Sequence, residues 1–229
     1  MSLSHPTFEG IPEAALDFFA ELVENNTAAW WAANKTTYDT TVRAPFLALL
    51  DSLHDYDSPW RVYRPQRDTR FSADKTPYKT FIGAAHQERS GNGHFIRLDR
   101  KGLLLGSGYP MLARDQLIRF RQAIDSENSG TAFTAAVAAG ISDGVDVTAG
   151  RYDRLTGAPR GFRRDHPRID WLRAKGVELP TRVGAPNWLS TPAAADHVSG
   201  LLNNGAEIVS WLNTHVGPSA LTPEEIWSR

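Results

Sequence analysis

The 229-residue chain contains no cysteine. That excludes a disulfide framework, a thiol nucleophile, a zinc ribbon and an iron–sulfur cluster held by thiolates. It has no apolar run of the length, about 18 residues, that a membrane span needs, and its nearest candidate, residues 131–141, is short and alanine-rich. No basic region followed by an apolar run opens the chain, so no signal peptide and no membrane are expected. A cytoplasmic location suits the missing cysteine. Charge of either sign is not in excess either. The formal net charge is -1, so bulk charge does not mark a polyanion binder. Ready-made motifs are missing as well. There is no phosphate-binding G-x-x-x-x-G-K-[ST], and Gly106-Ser107-Gly108 lacks the spacing of a nucleophile elbow. Neither that triplet nor Gly91-Asn92-Gly93 completes a dinucleotide-binding G-x-G-x-x-G. The seven histidines show no metal-ligand spacing, so no metal is expected and the cofactor is unknown.

What is present is enough for a packed core, with 41% hydrophobic and 22% charged residues. The chain is read as one domain over residues 1–229. Pro12 suits the first turn of a helix whose apolar face is Leu16, Phe19, Leu22 and Val23. Thr27 is a plausible N-cap for a second helix carrying Trp30, Trp31, Asn34, Lys35 and Tyr38, which Pro45 restarts or kinks. Residues 60–64 and 79–85 read as strands, and 94–99 with 103–107 as a hairpin about Arg100-Lys101-Gly102. Helices follow after Pro110, over 131–139 with Gly140 as the stop, from Pro167 to Gly176, and over 192–215. A strand is expected over 177–183. The glycine-rich stretch 140–159 is the one candidate linker between lobes. Together these predict an α+β fold, a mostly antiparallel central sheet flanked by helices.

The charge is unevenly spread. Residues 60–79 hold six Lys or Arg and two Asp, and residues 151–175 hold eight and three, so an acidic remainder carries two basic segments. In the first, Arg61, Arg64, Arg67 and Arg70 recur every third residue, interleaved with Asp68, Ser72, Asp74, Lys75, Tyr78 and Lys79. Pro65 and Pro77 argue for a loop. Guanidiniums on a loop present planar forks to phosphate or carboxylate. The same residues equally suit local ion pairs that pin the loop. In the second, His166 beside Asp165 suits a general base, or either residue caps the helix begun by Pro167. Adjacent side chains rarely aim at one another, which favours the cap. A third cluster, Asn25-Asn26, Trp30-Trp31 and Asn34-Lys35, suits a polar pocket or an inter-helix turn.

At these clusters the chain resembles a widespread, mainly bacterial family catalogued as domain of unknown function 2461. Phe18-Phe19, Leu22, Asn25-Asn26, Trp30-Trp31, Asn34-Lys35 and Tyr38 match it. So does RPQRDTRFSADKTPYK at residues 64–79, similar to the signature R-D-x-R-F-S-x-D-K-x-P-Y-K. The D-H-P-R segment from Asp165, with Leu172 and Lys175, is similar too. The resemblance covers about residues 6–215 and implies one α+β domain. It implies no activity and no catalytic residues.

The functional expectation is a soluble protein, enzyme or binder, that takes an anionic, phosphate-bearing small molecule on loop 61–79. Arg64, Arg67, Arg70, Lys75 and Lys79 would hold the anion and Ser72 add a neutral donor. Asn26, Trp31, Lys35 and Tyr78 would complete the site. The candidate acid–base groups are Asp68, Asp74 and His166. The alternative is a non-enzymatic module whose basic segments dock an acidic protein or, against the interleaved acids and aromatics of 60–79, a nucleic-acid backbone. In a third reading both segments are internal struts.

Overall fold

The computed structural model describes residues 7–53, 59–70, 74–88, 91–148 and 154–227. The fold is α+β with a five-stranded antiparallel sheet. Helix α1 (Glu13–Glu24) buries Ala15, Phe18, Phe19 and Leu22. The expected stripe is therefore rotated, with Val23 exposed and Phe18 inside. Phe18 packs edge-on against Phe19 and Trp31, at 5.7 and 6.1 Å between ring centres, and aromatic packing outweighs the aliphatic count. Thr27 does cap α2 (Ala28–Thr37), its hydroxyl accepting the Trp30 N–H at 3.2 Å.

The helix then runs through a π-helical turn, Tyr38–Arg43, into α3 (Ala44–Ser52). This wide turn is how the chain carries Pro45. A proline lacks the N–H that a helix needs and its ring crowds the carbonyl four residues back. Here the Ala44 N–H reaches back five residues to Asp39, and the wider turn makes room. Tyr38 and Val42 of that turn are buried. Burial pushes the Tyr38 phenol up to about 12, against a lowering from Arg43.

The sheet runs in chain order: β1 (Arg61–Val62), β2 (Phe81–Gln87), β3 (Gly93–Asp99), β4 (Gly102–Tyr109) and, after the next helices, β5 (Val177–Gly184). Arg61 pairs with Ala85 and Val62 with Ala84. The strand expected over 60–64 is only two residues long, because Pro65 cannot donate and the chain turns away. The β3–β4 hairpin is as expected. Gly102 takes φ +89°, and a Cβ there would lie 1.9 Å from the Gly184 carbonyl oxygen. Asp99, buried beside this turn, accepts the Lys101 N–H at 2.8 Å and pairs with Arg97 and Arg182, each at 3.2 Å.

Next come α4 (Arg114–Asp125), α5 (Glu127–Ser142) and α6 (Ile169–Leu172). Gly140 does not stop α5. It lies inside the helix, where a Cβ would meet Ile208 at 3.1 Å, so it is a packing glycine. The helix at Pro167 is a single turn that starts at Ile169. The helix expected over 192–215 is two helices, α7 (Ala194–Leu202) and α8 (Ala206–His215). Gly205, the N-cap of α8, stands between them at φ +75°, a left-handed conformation that a continuous helix does not contain. A short helix, α9 (Pro223–Trp227), closes the chain. No helix among the described residues is long and apolar enough to cross a membrane.

The chain divides into two compact units. The first is Met1–His86, Phe95–Leu105 and Arg182–Leu201; the second is Gln87–His94, Gly106–Thr181 and Leu202–Arg229. The candidate linker 140–159 falls within one range of the second unit, not between units. That unit's core gathers Phe120, Ile124, Phe133, Leu172, Trp211 and Leu212. Its C-terminal residues are strapped to α4. Arg119 donates to the Val216 carbonyl at 2.6 Å and Gln116 to that of Gly217 at 2.8 Å. Asp115 accepts the Ser219 hydroxyl at 2.7 Å and the Ala220 N–H at 2.9 Å.

Burial pushes the Asp115 carboxyl up, but the Ala220 N–H, the Ser219 hydroxyl and Arg119 outweigh it and hold it down at about 2. A depressed carboxyl favours the fold above its unfolded value of 3.8, and that contribution is lost as pH falls toward about 2. Urea unfolding at stepped pH should show stability falling across this window. Asp115→Asn should remove its share of the slope.

Candidate functional site

Residues 65–67 and 77–79 form a short antiparallel ladder. The Arg67 N–H donates to Pro77, the Lys79 N–H donates to Pro65, both at 2.8 Å, and Gln66 bridges Tyr78. The two prolines serve as acceptors only, which is why the segment is an arm of isolated bridges and not a strand pair. The arm is anchored at its base. The Asn26 amide accepts the Tyr78 N–H at 3.1 Å and donates to the Tyr78 carbonyl at 2.9 Å. Trp31 stacks on the Tyr78 ring, centroids 4.3 Å apart and planes 10° apart.

The cations of the arm divide into two kinds. Two face carboxylates of the arm itself. Arg67 pairs with Asp74 and also reaches the Tyr78 carbonyl at 3.4 Å. Arg70 makes a fork to Asp68 at 3.0 and 2.7 Å. Among the described residues, two lysines meet backbone carbonyls instead. The Lys75 ammonium donates to the Thr69 carbonyl at 2.9 Å, and that of Lys79 to the carbonyls of Arg64 and Gln66 at 2.5 and 2.7 Å. A carbonyl orients an ammonium without neutralising it. Arg64 is exposed. Burial, with Arg64 and then Arg67 beside it, holds Lys79 below the usual lysine range.

The candidate bases fare differently. Hydrogen bonds from Arg70 hold the Asp68 carboxyl well below the usual range, and the Thr76 N–H and hydroxyl lower Asp74. Carboxylates stabilised this way are weak proton acceptors at neutral pH. Both orient the arm: Asp74 accepts the Thr76 N–H and hydroxyl at 2.9 and 2.7 Å in a side-chain turn. Asn26 and Trp31 are spent on anchoring. Lys35 pairs with Asp39 one turn along the helical run. Ser72 lies outside the described residues. Because the Arg70 side chain is 76% exposed, Arg70→Ala should leave the thermal midpoint where it is, checked by calorimetry.

The described part of the second basic segment holds one buried cation, Arg168, among exposed ones. Asp165 is held by a fork from Arg163 at 2.9 and 2.6 Å, which with the nearby His166 holds its carboxyl below the usual range. Neither Asp165 nor His166 caps α6: Arg168 stands at its N-cap with no side-chain cap bond, and His166 Nδ1 accepts the Arg168 N–H at 3.0 Å in the turn before the helix, while Nε2 lies 3.3 Å from Asp125. Arg168 is buried, and it donates to the carbonyl of Ile124 at 2.6 Å, and to those of Asp125 and Ser126.

One polar constellation lies outside every expected residue. In the second unit Glu88 Oε1 is 2.6 Å from His94 Nε2, and His94 Nδ1 is 2.9 Å from the Ser107 hydroxyl. The Asn92 amide also meets Nε2, at 3.0 Å. A cavity of about 410 Å³ reaches Glu88, Asn92 and His94.

Over residues 14–211 the chain matches the family described as Conserved hypothetical protein (DUF2461). The chain belongs to this family. No curated protein and no solved structure matches it. The span matched to DUF2461 includes the arm, the D-H-P-R segment and the Glu88–His94–Ser107 relay, whereas Asn213 and Thr214 of the cavity lie past its end. The relay leaves a faint trace in the sequence. Asn92 and Ser107 each stand between two glycines, and a Cβ at Gly91 or Gly108 would lie 2.7 Å from the Tyr109 hydroxyl or 2.4 Å from the Val177 carbonyl oxygen. Read only as incomplete catalytic and dinucleotide motifs, those triplets conceal a histidine between them.

Proposed function

We propose that the protein binds a small phosphate-bearing molecule through the 61–79 arm, and that this is binding without proton transfer by Asp68 or Asp74. One observation carries the reading. The described arm carries more cations than carboxylates: Arg67 and Arg70 pair with Asp74 and Asp68, while Lys75 and Lys79 are aimed by backbone carbonyls and Arg64 is exposed beside Asp68. Cations on an arm braced at its base by Asn26 and Trp31 gain more from a phosphate than unbraced ones, because less freedom is lost on binding. Burial first, and then Arg64 and Arg67, disfavour the Lys79 charge, and an anion would offset the repulsion from those two arginines. The cysteine-free composition suits a reducing, cytoplasmic setting.

Thermal-shift titration with phosphate, pyrophosphate and a nucleotide panel tests this. At a hundredfold excess over Kd a ligand specific to the folded state adds about 2.7 kcal/mol. The shift should vanish in Arg64→Ala/Lys75→Ala, whose side chains are exposed and whose loss should leave the unliganded midpoint unchanged. No shift with any anion would sink the proposal. A response to an oligonucleotide alone, falling steeply with salt, would move it to a nucleic-acid backbone.

A further inference from the structure

The cavity in the second unit has a wall made by one face of α8. Ala206, Val209, Ser210, Asn213 and Thr214 follow at the three- and four-residue spacings of a helix face, while Ile208, Trp211 and Leu212 on the other side enter the core. None of the described lining residues is Lys or Arg. The described lining is neutral amides and hydroxyls, aliphatic side chains, the His94 imidazole and one carboxylate, Glu88. Anions are disfavoured by Glu88, and large apolar ligands would strand the polar groups.

Hydrogen bonds fix the polarity of the relay. A carbonyl only accepts, so the Ser107 hydroxyl, 2.5 Å from the Leu202 carbonyl, must donate to it. Ser107 can then only accept from His94, which makes His94 Nδ1 the protonated nitrogen. Asn92 Oδ1 accepts the Gly108 N–H at 2.9 Å, so its amide nitrogen is the group that faces His94 Nε2. Nε2 therefore meets a donor, Asn92, and a carboxylate, Glu88. One proton is shared between Glu88 and Nε2: on Glu88, Nε2 accepts from Asn92; on Nε2, it donates to Glu88. Ser107 has no free hydroxyl hydrogen for His94 to remove, so it positions the ring and is not a nucleophile. The His94 side chain is 4% exposed and that of Glu88 31%, so a ligand meets the carboxylate, not the ring. Asn213 Oδ1 accepts the Tyr109 hydroxyl at 2.9 Å, which leaves its amide N–H groups as the donor on the α8 wall.

We propose that this cavity binds a small, uncharged, polyhydroxylated molecule, one of whose hydroxyls donates to Glu88 and thereby draws the shared proton onto His94 Nε2. A donor to the carboxylate stabilises its charged form, and the proton follows to the imidazole. The site is separate in residues and in ligand chemistry from the anion-binding arm.

The test uses the full chain with ¹⁵N-labelled histidine. D-glucose, D-ribose and myo-inositol are titrated separately, with phosphate as a fourth ligand. In the free protein Nδ1 should resonate as a protonated nitrogen. With at least one polyol Nε2 should move toward the protonated position and the α8 amides should shift, while phosphate moves neither. Ala206→Leu, which fills the cavity from an exposed helical position, should lose the response to every polyol. The isosteric Glu88→Gln should leave Nε2 unmoved and weaken binding at least tenfold. An unprotonated Nδ1, silence toward all three polyols, a response to phosphate in their place, or a full response in Ala206→Leu would each overturn the proposal. Because phosphate and the Arg64/Lys75 variant report on the arm, neither proposal's failure can be mistaken for the other's.

Discussion

Replacing Arg168 by alanine should lower the unfolding free energy by about 3 kcal/mol, the usual cost of removing one member of a buried, hydrogen-bonded charge group. The last carbonyls of α4 have no helical partner of their own. Arg168 supplies one, with Nε on Ile124 at 2.6 Å and Nη2 near the carbonyls of Asp125 and Ser126 and the Glu127 carboxylate at 3.3 Å. A cation at a helix C-terminus also opposes the negative end of its dipole. Gly130 keeps the path open, because a Cβ there would lie 2.5 Å from Arg168 Nε. Lysine keeps the charge but not the fork, so Arg168→Lys should recover less than half of the loss. The midpoint of urea unfolding should fall with an unchanged slope. A loss under about 1 kcal/mol would mean that water replaces the guanidinium freely and that the capping role is minor.

Arg168 also shows what the sequence could and could not disclose. That the D-H-P-R segment leads into a helical turn was legible, because proline acts on its immediate neighbours, although no side chain caps that turn. That its arginine closes a different helix, some forty residues earlier in the chain, was not, since nothing local records a contact of that range. The same division holds elsewhere. The Thr27 cap, the β3–β4 hairpin and β5 rest on neighbours and read correctly. Gly140, expected to stop a helix, lies inside α5, whereas the helix expected over 192–215 is broken before Gly205. One glycine looks like another until the chain shows which is held at positive φ and which lies under an isoleucine. On the arm, composition located the charged loop but not the pairing within it. The acids that looked like bases are lowered by their own arginine and threonine neighbours. The cavity was the least legible feature. Its polar wall is the solvent side of an amphipathic helix, and its histidine carries no motif.

Asn26→Ala should destabilise the fold by about 2 kcal/mol, the scale for two part-buried backbone groups losing their partner. The Asn26 amide behaves as a strand would, accepting the Tyr78 N–H and donating to the Tyr78 carbonyl. No other residue type of that length presents both a donor and an acceptor in one plane. Asn26→Asp keeps the acceptor but sets a carboxylate oxygen against the Tyr78 carbonyl, so it should be at least as damaging as alanine. A merely space-filling Asn26 would tolerate aspartate. Exchange of the Tyr78 amide hydrogen should accelerate in both variants, while amides of the second-unit core stay protected to the level set by global unfolding. If the arm is the anion site, loosening its base also spreads Arg64, Lys75 and Lys79 over more conformations, and phosphate affinity should fall although no phosphate ligand has been changed. Retained affinity together with accelerated exchange would separate the two roles of the arm, leaving Asn26 as a structural clasp and the cations sufficient by charge alone.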